Sequence, residues 1–238
     1  MPSFRTIALP LALGALTAGT PIFAQDGRGA GDDPCAGNTV GVCNINDGTG
    51  GSTFTDGSLP TPAEDRRGVF ITQVGATNRA EARQTGSNSF ARIAQSGDVN
   101  EADVGQSDGR HFAIVAQDGD ENIARVGQEG PGQTVAMLAQ QGDSNVADIS
   151  QNENGSLYSA VAASQTGSDN LLNLVQDGSD NQATLTQNGD GNAMTATQLG
   201  AGNRLEWTQD GSGLFDLEIT QDGGQAMQVT QTNTGGGN

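Results

Sequence analysis

Residues 165–209 read QTGSDNLLNLV, QDGSDNQATLT, QNGDGNAMTAT and QLGAGNRLEWT, followed by a further glutamine at 209. Each unit is eleven residues long and starts with glutamine, with glycine two positions later and asparagine five positions later. Self-similarity at a short fixed period is typical of a repeat architecture and not of an irregular globular domain. This stretch therefore predicts a stack of equivalent structural units.

The repeat extends in both directions from this stretch, over residues 69–231. Its glutamines are Gln73, Gln84, Gln95, Gln106, Gln117, Gln128, Gln140, Gln151, Gln165, Gln176, Gln187, Gln198, Gln209, Gln221 and Gln231. Ten of the fourteen steps are eleven residues long, and the longest step, after Gln151, is fourteen. We expect the extra residues to lie in turns, where insertions cost least.

The segment from glutamine to asparagine predicts a turn, in which glycine supplies the positive φ that tight turns demand. The predicted turn glycines are Gly75, Gly86, Gly97, Gly119, Gly142, Gly167, Gly178, Gly189 and Gly200. Asparagine tolerates turn geometry and bonds neighbouring backbone. The repeat asparagines are Asn78, Asn100, Asn122, Asn145, Asn170, Asn181, Asn192 and Asn203.

The segment that follows each asparagine predicts a strand, because small or apolar residues alternate with polar ones, as in Ala183 and Leu185 or Leu205 and Trp207. The predicted inward row is asparagine, two apolar residues and glutamine. An antiparallel meander would also suit short strands, but an identical inward row favours stacking, in which the amide side chains form ladders. We therefore predict an all-β fold: a two-sheet β-solenoid of stacked strand-turn-strand coils of about 22 residues, built from 11-residue half-repeats.

The residues before the repeat differ in character. Residues 1–24 have the charge, apolar run and small-residue end of a secretory signal peptide, and the apolar run is too short to span a membrane. Residues 25–68 predict a flexible, disordered leader, and residues 232–238 a disordered tail. In an exported chain, Cys35 and Cys43 favour a disulfide closing a small loop; a zinc site would need further ligands.

Composition excludes several classes of function. The net charge of −18 argues against binding to nucleic acid or anionic lipid. With 34% hydrophobic residues and 36 glycines, the chain lacks the material for a thick core. There is one histidine, His111, and no zinc-protease, serine-hydrolase or phosphate-loop motif, so we predict neither an enzyme nor a cofactor.

A single coil buries about four apolar side chains, which does not offset the backbone entropy of its roughly 22 residues. Stability must come from the coils above and below. Soluble solenoids cover their terminal strand edges with caps, and neither end of this repeat carries an evident one. We therefore expect another copy of the chain to cover each end, giving a cross-β filament.

Aspartates recur three positions after the glutamine in alternate units, at Asp98, Asp120, Asp143 and Asp190. Stacking would place them along one edge about 4.8 Å apart. One interpretation is a solvated edge whose repulsion keeps the subunit soluble before secretion. The alternative is a calcium site made of aspartate and turn oxygens.

The units QVGATNRAEARQ (73–84), QSGDVNEADVGQ (95–106) and QQGDSNVADISQ (140–151) resemble the curlin repeat of bacterial curli subunits. The resemblance covers about residues 69–231. It implies an extracellular functional amyloid of Gram-negative bacteria, exported through a dedicated outer-membrane pore, assembling with itself and other curli subunits in biofilm matrix and adhesion.

A second class of function is a non-polymerising binding solenoid for ice, carbohydrate or divalent cations. Such a protein needs a flat, regular outward face. Thr184, Thr186, Thr195 and Thr197 form a local threonine patch, but charged outward residues such as Glu81 and Arg204 interrupt it. The sequence therefore favours a self-assembling structural subunit.

Overall fold

The computed structural model describes residues 68–233 apart from Ser87. Within these residues, fifteen strands follow one another without an intervening helix. They are β1 (Gly68–Val74), β2 (Arg79–Gln84), β3 (Phe90–Ser96), β4 (Glu101–Gln106), β5 (Arg110–Asp118), β6 (Ile123–Glu129), β7 (Gln133–Gln141), β8 (Val146–Glu153), β9 (Tyr158–Thr166), β10 (Leu171–Ser179), β11 (Gln182–Asn188), β12 (Ala193–Ala201), β13 (Arg204–Asp210), β14 (Ile219–Asp222) and β15 (Ala226–Thr232).

The strands form two parallel sheets. Odd-numbered strands make an eight-stranded sheet in the order β1-β3-β5-β7-β9-β11-β13-β15, and even-numbered strands make a seven-stranded sheet from β2 to β14. The chain thus passes from one sheet to the other at every turn. This confirms the predicted two-sheet β-solenoid and excludes the meander, whose neighbouring strands would be antiparallel.

The glutamines stay in register through the stack. Gln95 pairs with Gln117, Gln117 with Gln140, and Gln140 with Gln165, although the spacing grows from 22 to 23 to 25 residues. The added residues lie in the turns, as predicted. The irregular unit after Gln151 still forms a complete strand, β9, which pairs with both β7 and β11.

The core is one layer of side chains between the sheets. Each interior coil contributes the apolar residues of its inward rows, such as Leu172 and Leu174 or Leu205 and Trp207, all at most 1% exposed. A second, smaller apolar cluster of Phe90, Phe112, Val135 and Ala160 lies at the alternate positions of the eight-stranded sheet. Its phenylalanine rings are stacked with centroids 4.9 Å apart.

The turns form two columns along the stack. The first turn edge holds the turns from the eight-stranded to the seven-stranded sheet, and the second turn edge holds the return turns. Eight of the nine predicted turn glycines have positive φ, but Gly86 does not. At Gly86 the constraint is space, since a Cβ there would lie 2.9 Å from the carbonyl oxygen of Gly109 in the next coil.

A further position takes a left-handed conformation that the repeat did not predict. On the first turn edge, the residue just before the asparagine position has φ between 57° and 66° in every coil, whether it is glycine or not, and on the second turn edge Asp180, Gly202 and Gly224 share this conformation with φ between 55° and 77°. Val99, with φ 62°, is a β-branched example. Such residues rarely adopt positive φ, so backbone strain recurs along the stack.

Several predicted segments lie outside the described residues: the signal peptide, the leader up to residue 67 with Cys35 and Cys43, and residues 234–238 of the tail. Gly68 and Thr232, the inner ends of the predicted leader and tail, belong to β1 and β15. Within the described part, no helix is long and apolar enough to cross a membrane.

Candidate functional site

The repeat glutamines form a continuous amide ladder in each sheet. In the eight-stranded sheet, Nε2 of each glutamine donates to Oε1 of the glutamine in the next coil, from Gln73 to Gln231, at 2.7–2.9 Å. In the seven-stranded sheet the same bonds run from Gln84 to Gln221 at 2.6–3.0 Å. Both ladders point their donors towards the C-terminal end.

The same amide group also ties the two sheets together. Gln95 Nε2 donates to the carbonyl oxygen of Arg79 at 3.1 Å, and Gln106 Nε2 donates to that of Phe90 at 3.0 Å. Each acceptor is the first residue of a strand in the opposite sheet. A buried glutamine has two donors and an oxygen to satisfy, and this geometry uses all of them. The ladder therefore replaces side-chain hydration with bonds along and across the stack.

The asparagines form a second ladder, complete only on the first turn edge. There, Oδ1 of each asparagine from Asn78 to Asn170 accepts the backbone N–H of the next asparagine at 2.9–3.2 Å. On the second turn edge the asparagines are Asn181 and Asn203, joined by a bond of 3.0 Å from Nδ2 to Oδ1. Earlier coils place Ser89, His111, Thr134 and Ser159 at this buried position.

His111 takes the place of an asparagine within this column. Its side chain is 1% exposed, with Nδ1 2.9 Å from Thr134 Oγ1 and Nε2 2.7 Å from the carbonyl oxygen of Ser107. Burial lowers the pKa of His111, while the Ser107 carbonyl and the charges of Asp108 and Glu129 oppose that shift. The single histidine of the chain thus bonds within a turn and to the next coil.

Two other charged groups lie on the second turn edge: Glu153, which the sequence reasoning missed, and Arg204, which was expected on the exposed outward face but is buried. Glu153 is fully buried, and its carboxylate accepts bonds from Ser159 Oγ at 2.6 Å and from the backbone N–H of Gly155 at 2.9 Å. Arg204 is 5% exposed, and its guanidinium donates to Asp180 Oδ1 at 2.9 Å. Neither residue type recurs at the equivalent place in the neighbouring coils, so the period held no signal for these roles.

The acidic edge has a defined structural role. Asp98 Oδ1 accepts the backbone N–H of Ala76 at 2.6 Å, Asp120 that of Asp98 at 2.7 Å, and Asp143 that of Asp120 at 2.9 Å. Asp190 accepts the N–H of Ser168 in the same way. Each carboxylate thus joins its own turn to the turn of the preceding coil.

Among the described residues, no group of three or more His, Cys, Asp or Glu side chains is arranged to hold a metal ion. The calcium hypothesis therefore rests on the spacing of the aspartates alone, and one oxygen of each carboxylate, Oδ1, already accepts a backbone N–H.

Both ends of the stack expose strand edges. Among the described residues, β1 and β2 pair only with β3 and β4, and β14 and β15 only with β12 and β13. Apolar side chains cluster there: Val69, Phe70, Ile71 and Val74 at the N-terminal end, and Phe215 and Leu217 near the C-terminal end, are 41–89% exposed. No described residue donates to Oε1 of Gln73 or Gln84. Within the described chain, the strand edges at both ends are therefore unpaired.

Comparison with known families identifies the repeat. The family model described as Curlin associated repeat matches the chain four times, over residues 68–97, 97–130, 167–200 and 178–211. Neither a curated protein nor a solved structure matches the chain.

Proposed function

Since this chain is a curlin-repeat protein, we propose that it is the subunit of an extracellular, curli-like amyloid fibre. Subunits stack end to end, so that the two sheets of the solenoid continue from one copy into the next. The predicted signal peptide sends the chain into the periplasm, and a curli-type outer-membrane pore exports it. The fibre then serves biofilm matrix and surface adhesion, alone or with other curli subunits.

The observation that carries this proposal is the complementarity of the two ends. At the N-terminal end, Oε1 of Gln73 and of Gln84 faces away from the stack without a described donor. At the C-terminal end, Nε2 of Gln231 donates to the carbonyl oxygen of Phe215 and Nε2 of Gln221 to those of Arg204 and Gln225, but neither has a glutamine of a further described coil to donate to. A C-terminal end and an N-terminal end can therefore continue each other's glutamine ladders, whereas two like ends cannot.

The exposed apolar groups favour the same contact. Val69 and Ile71 continue the inward apolar rows but are 41% and 43% exposed, because no described strand covers them. Met227 and Val229 pack against the core from one side only. Covering such side chains contributes about 25 cal/mol for each Å² of apolar surface. Stacking therefore buries apolar side chains at the joint between subunits, as the coils do within one subunit.

A charge placed on the inward row of the last strand tests this proposal. The full chain is diluted from denaturant and fibre growth is followed by thioflavin T fluorescence. Val229→Lys points an ammonium group into the joint, and burying it unpaired costs several kcal/mol, so elongation should slow by about tenfold or more. Gln228→Lys is the matched control on the outward face of the same strand, where Gln228 is exposed beside Glu206.

Equal growth of the two variants contradicts stacking through the strand edges. A wild-type chain that stays soluble and monomeric contradicts the proposed function itself.

A binding solenoid is the second candidate, favoured by the aligned outward threonines Thr186, Thr208 and Thr230. The row does not continue, since the same positions hold Ser164 and then alanines towards the N-terminus. The outward face of the other sheet begins with the ion pairs Arg79–Glu101 and Arg83–Asp103. A uniform ligand-binding face is therefore limited to the C-terminal coils, and a soluble monomer would favour this candidate.

A further inference from the structure

The number of strands among residues 68–233 is odd, and this affects how one copy fits the next. Eight strands lie in one sheet and seven in the other, so β1 and β15 belong to the same sheet. The described part of the chain therefore contains seven complete coils and a final half-coil, β15. A stack of whole coils would begin in one sheet and end in the other.

The half-coil leaves one place in the solenoid path vacant. The path alternates between the sheets, so the strand after β15 belongs on top of β14, in the seven-stranded sheet. Met227 and Val229 of β15 point into the core, as their pairing with Leu205 and Trp207 requires. Across the core from them, the described chain supplies no strand at that level.

A second copy can join this end in two ways. Without rotation, its β1 lies on β15, its β2 lies in the other sheet one level above the vacancy, and β14 keeps an unpaired edge. With a half-turn about the stack axis, its β1 lies on β14 and its β2 on β15. Only the second arrangement continues the path without a missing strand.

The inward rows permit the half-turn because both sheets present the same pattern. With rotation, the next subunit's Ile71 lies on Ile219 and its Gln73 on Gln221. In the other sheet, its Ala82 lies on Val229 and its Gln84 on Gln231. These pairs follow the register that already joins β12 to β14 and β13 to β15. Both glutamine ladders then continue across the joint with the same polarity.

Packing across the core also favours rotation. The rotated copy places its Val69 and Ile71 opposite Met227 and Val229, filling the vacant half of that coil. The unrotated copy leaves these side chains facing a gap one strand wide, and such a cavity costs free energy in proportion to its volume. We therefore propose that successive subunits are related by a half-turn, so that the eight-stranded sheet of one copy continues into the seven-stranded sheet of the next. This inference rests on the proposed fibre function.

Cysteine cross-linking in assembled fibres distinguishes the two joints. The parent is the full chain with Cys35→Ser and Cys43→Ser. One variant adds Thr72→Cys and Thr220→Cys, which are direct neighbours only in the rotated joint. The matched variant adds Thr72→Cys and Thr230→Cys, which are neighbours only in the unrotated joint. All three threonines are exposed, and directly paired strand residues are about 4.8 Å apart, within reach of a disulfide.

A disulfide between the two cysteines of one chain cannot form, because Thr72 and Thr220 lie at opposite ends of the stack, roughly 30 Å apart. We expect mild oxidation of fibres to convert most of the Thr72→Cys/Thr220→Cys protein into disulfide-linked dimers and larger oligomers on a non-reducing gel. The Thr72→Cys/Thr230→Cys protein should stay monomeric. A third variant, Arg83→Cys with Thr230→Cys, should cross-link as the first does, through the other sheet.

Cross-linking of Thr72→Cys to Thr230→Cys, or of neither pair, in chains that form fibres overturns the half-turn and leaves the fibre function standing. Failure of the parent chain to form fibres overturns the proposed function and the inference with it.

Discussion

Asp120 donates its backbone N–H to Oδ1 of Asp143 in the next coil at 2.9 Å. The same contact joins Asp98 to Asp120 at 2.7 Å. The aspartates of the first turn edge are thus hydrogen-bond acceptors between turns as well as carriers of negative charge. Their two roles respond differently to substitution, because asparagine keeps the acceptor and removes the charge.

For Asp143, we expect alanine and asparagine to have different effects. Asp143→Ala leaves the N–H of Asp120 without its acceptor and should lower the free energy of unfolding by about 1 kcal/mol. Asp143→Asn keeps an oxygen in place and removes repulsion from Asp120, so its stability should equal or exceed that of the wild type. Guanidinium unfolding followed by circular dichroism measures both. Equal losses in the two variants would show that the charge, not the acceptor, matters.

His111 should make stability depend on pH. Its pKa is lowered by burial, so the unfolded chain binds the proton more readily than the folded one. The stabilisation is present above the ordinary pKa of about 6.5 and declines as the pH falls from there towards the lowered pKa. His111→Asn restores the repeat residue and should make the unfolding midpoint depend less on pH over this interval. An unchanged pH profile in this variant would assign the dependence to other groups.

The left-handed residue before each asparagine offers a paired test of backbone strain. Val99 has φ 62° and Gly191 has φ 66° at the equivalent place in another coil. Val99→Gly should stabilise the chain by about 1 kcal/mol, or at least cost nothing, because it relieves a β-branched residue at positive φ. Gly191→Val should cost about 1 kcal/mol or more, although a Cβ there meets no atom within 4 Å. Thermal unfolding of both variants measures the change in stability. A Gly191→Val variant as stable as the wild type would contradict backbone strain at this position.

An interior glutamine should contribute far more than its neighbour on the strand. Gln187 accepts from Gln165 and donates to Gln209, both at 2.9 Å, and also donates to the carbonyl oxygen of Leu171. Gln187→Ala leaves buried groups on three residues unpaired, at a cost of about 3 kcal/mol or more. Thr186→Ala, on the outward face, should change stability by less than about 0.5 kcal/mol. Similar losses in the two variants, measured by guanidinium unfolding, would remove the special role of the ladder.

The eleven-residue period predicted most of the fold. It placed Ala183, Leu185 and Gln187 on one face of β11, and identical faces in successive units required parallel stacking. The second turn edge was less predictable, because Ser89, His111 and Thr134 replace asparagine with side chains of different shape and bonding. The role of Glu153 depends on the path of an insertion, which a repeat pattern does not describe. The bonds of the aspartates also escaped prediction, since spacing reveals their charge but not which backbone groups face them.

Fibre diffraction from aligned assemblies of the full chain tests the central claim most directly. If the solenoids stack end to end, the strands run perpendicular to the fibre and give a meridional reflection at about 4.8 Å, with an equatorial reflection near 10 Å from the sheet separation. A chain that forms no fibres, or fibres whose strand spacing reflection lies off the meridian, would contradict stacking through the open ends.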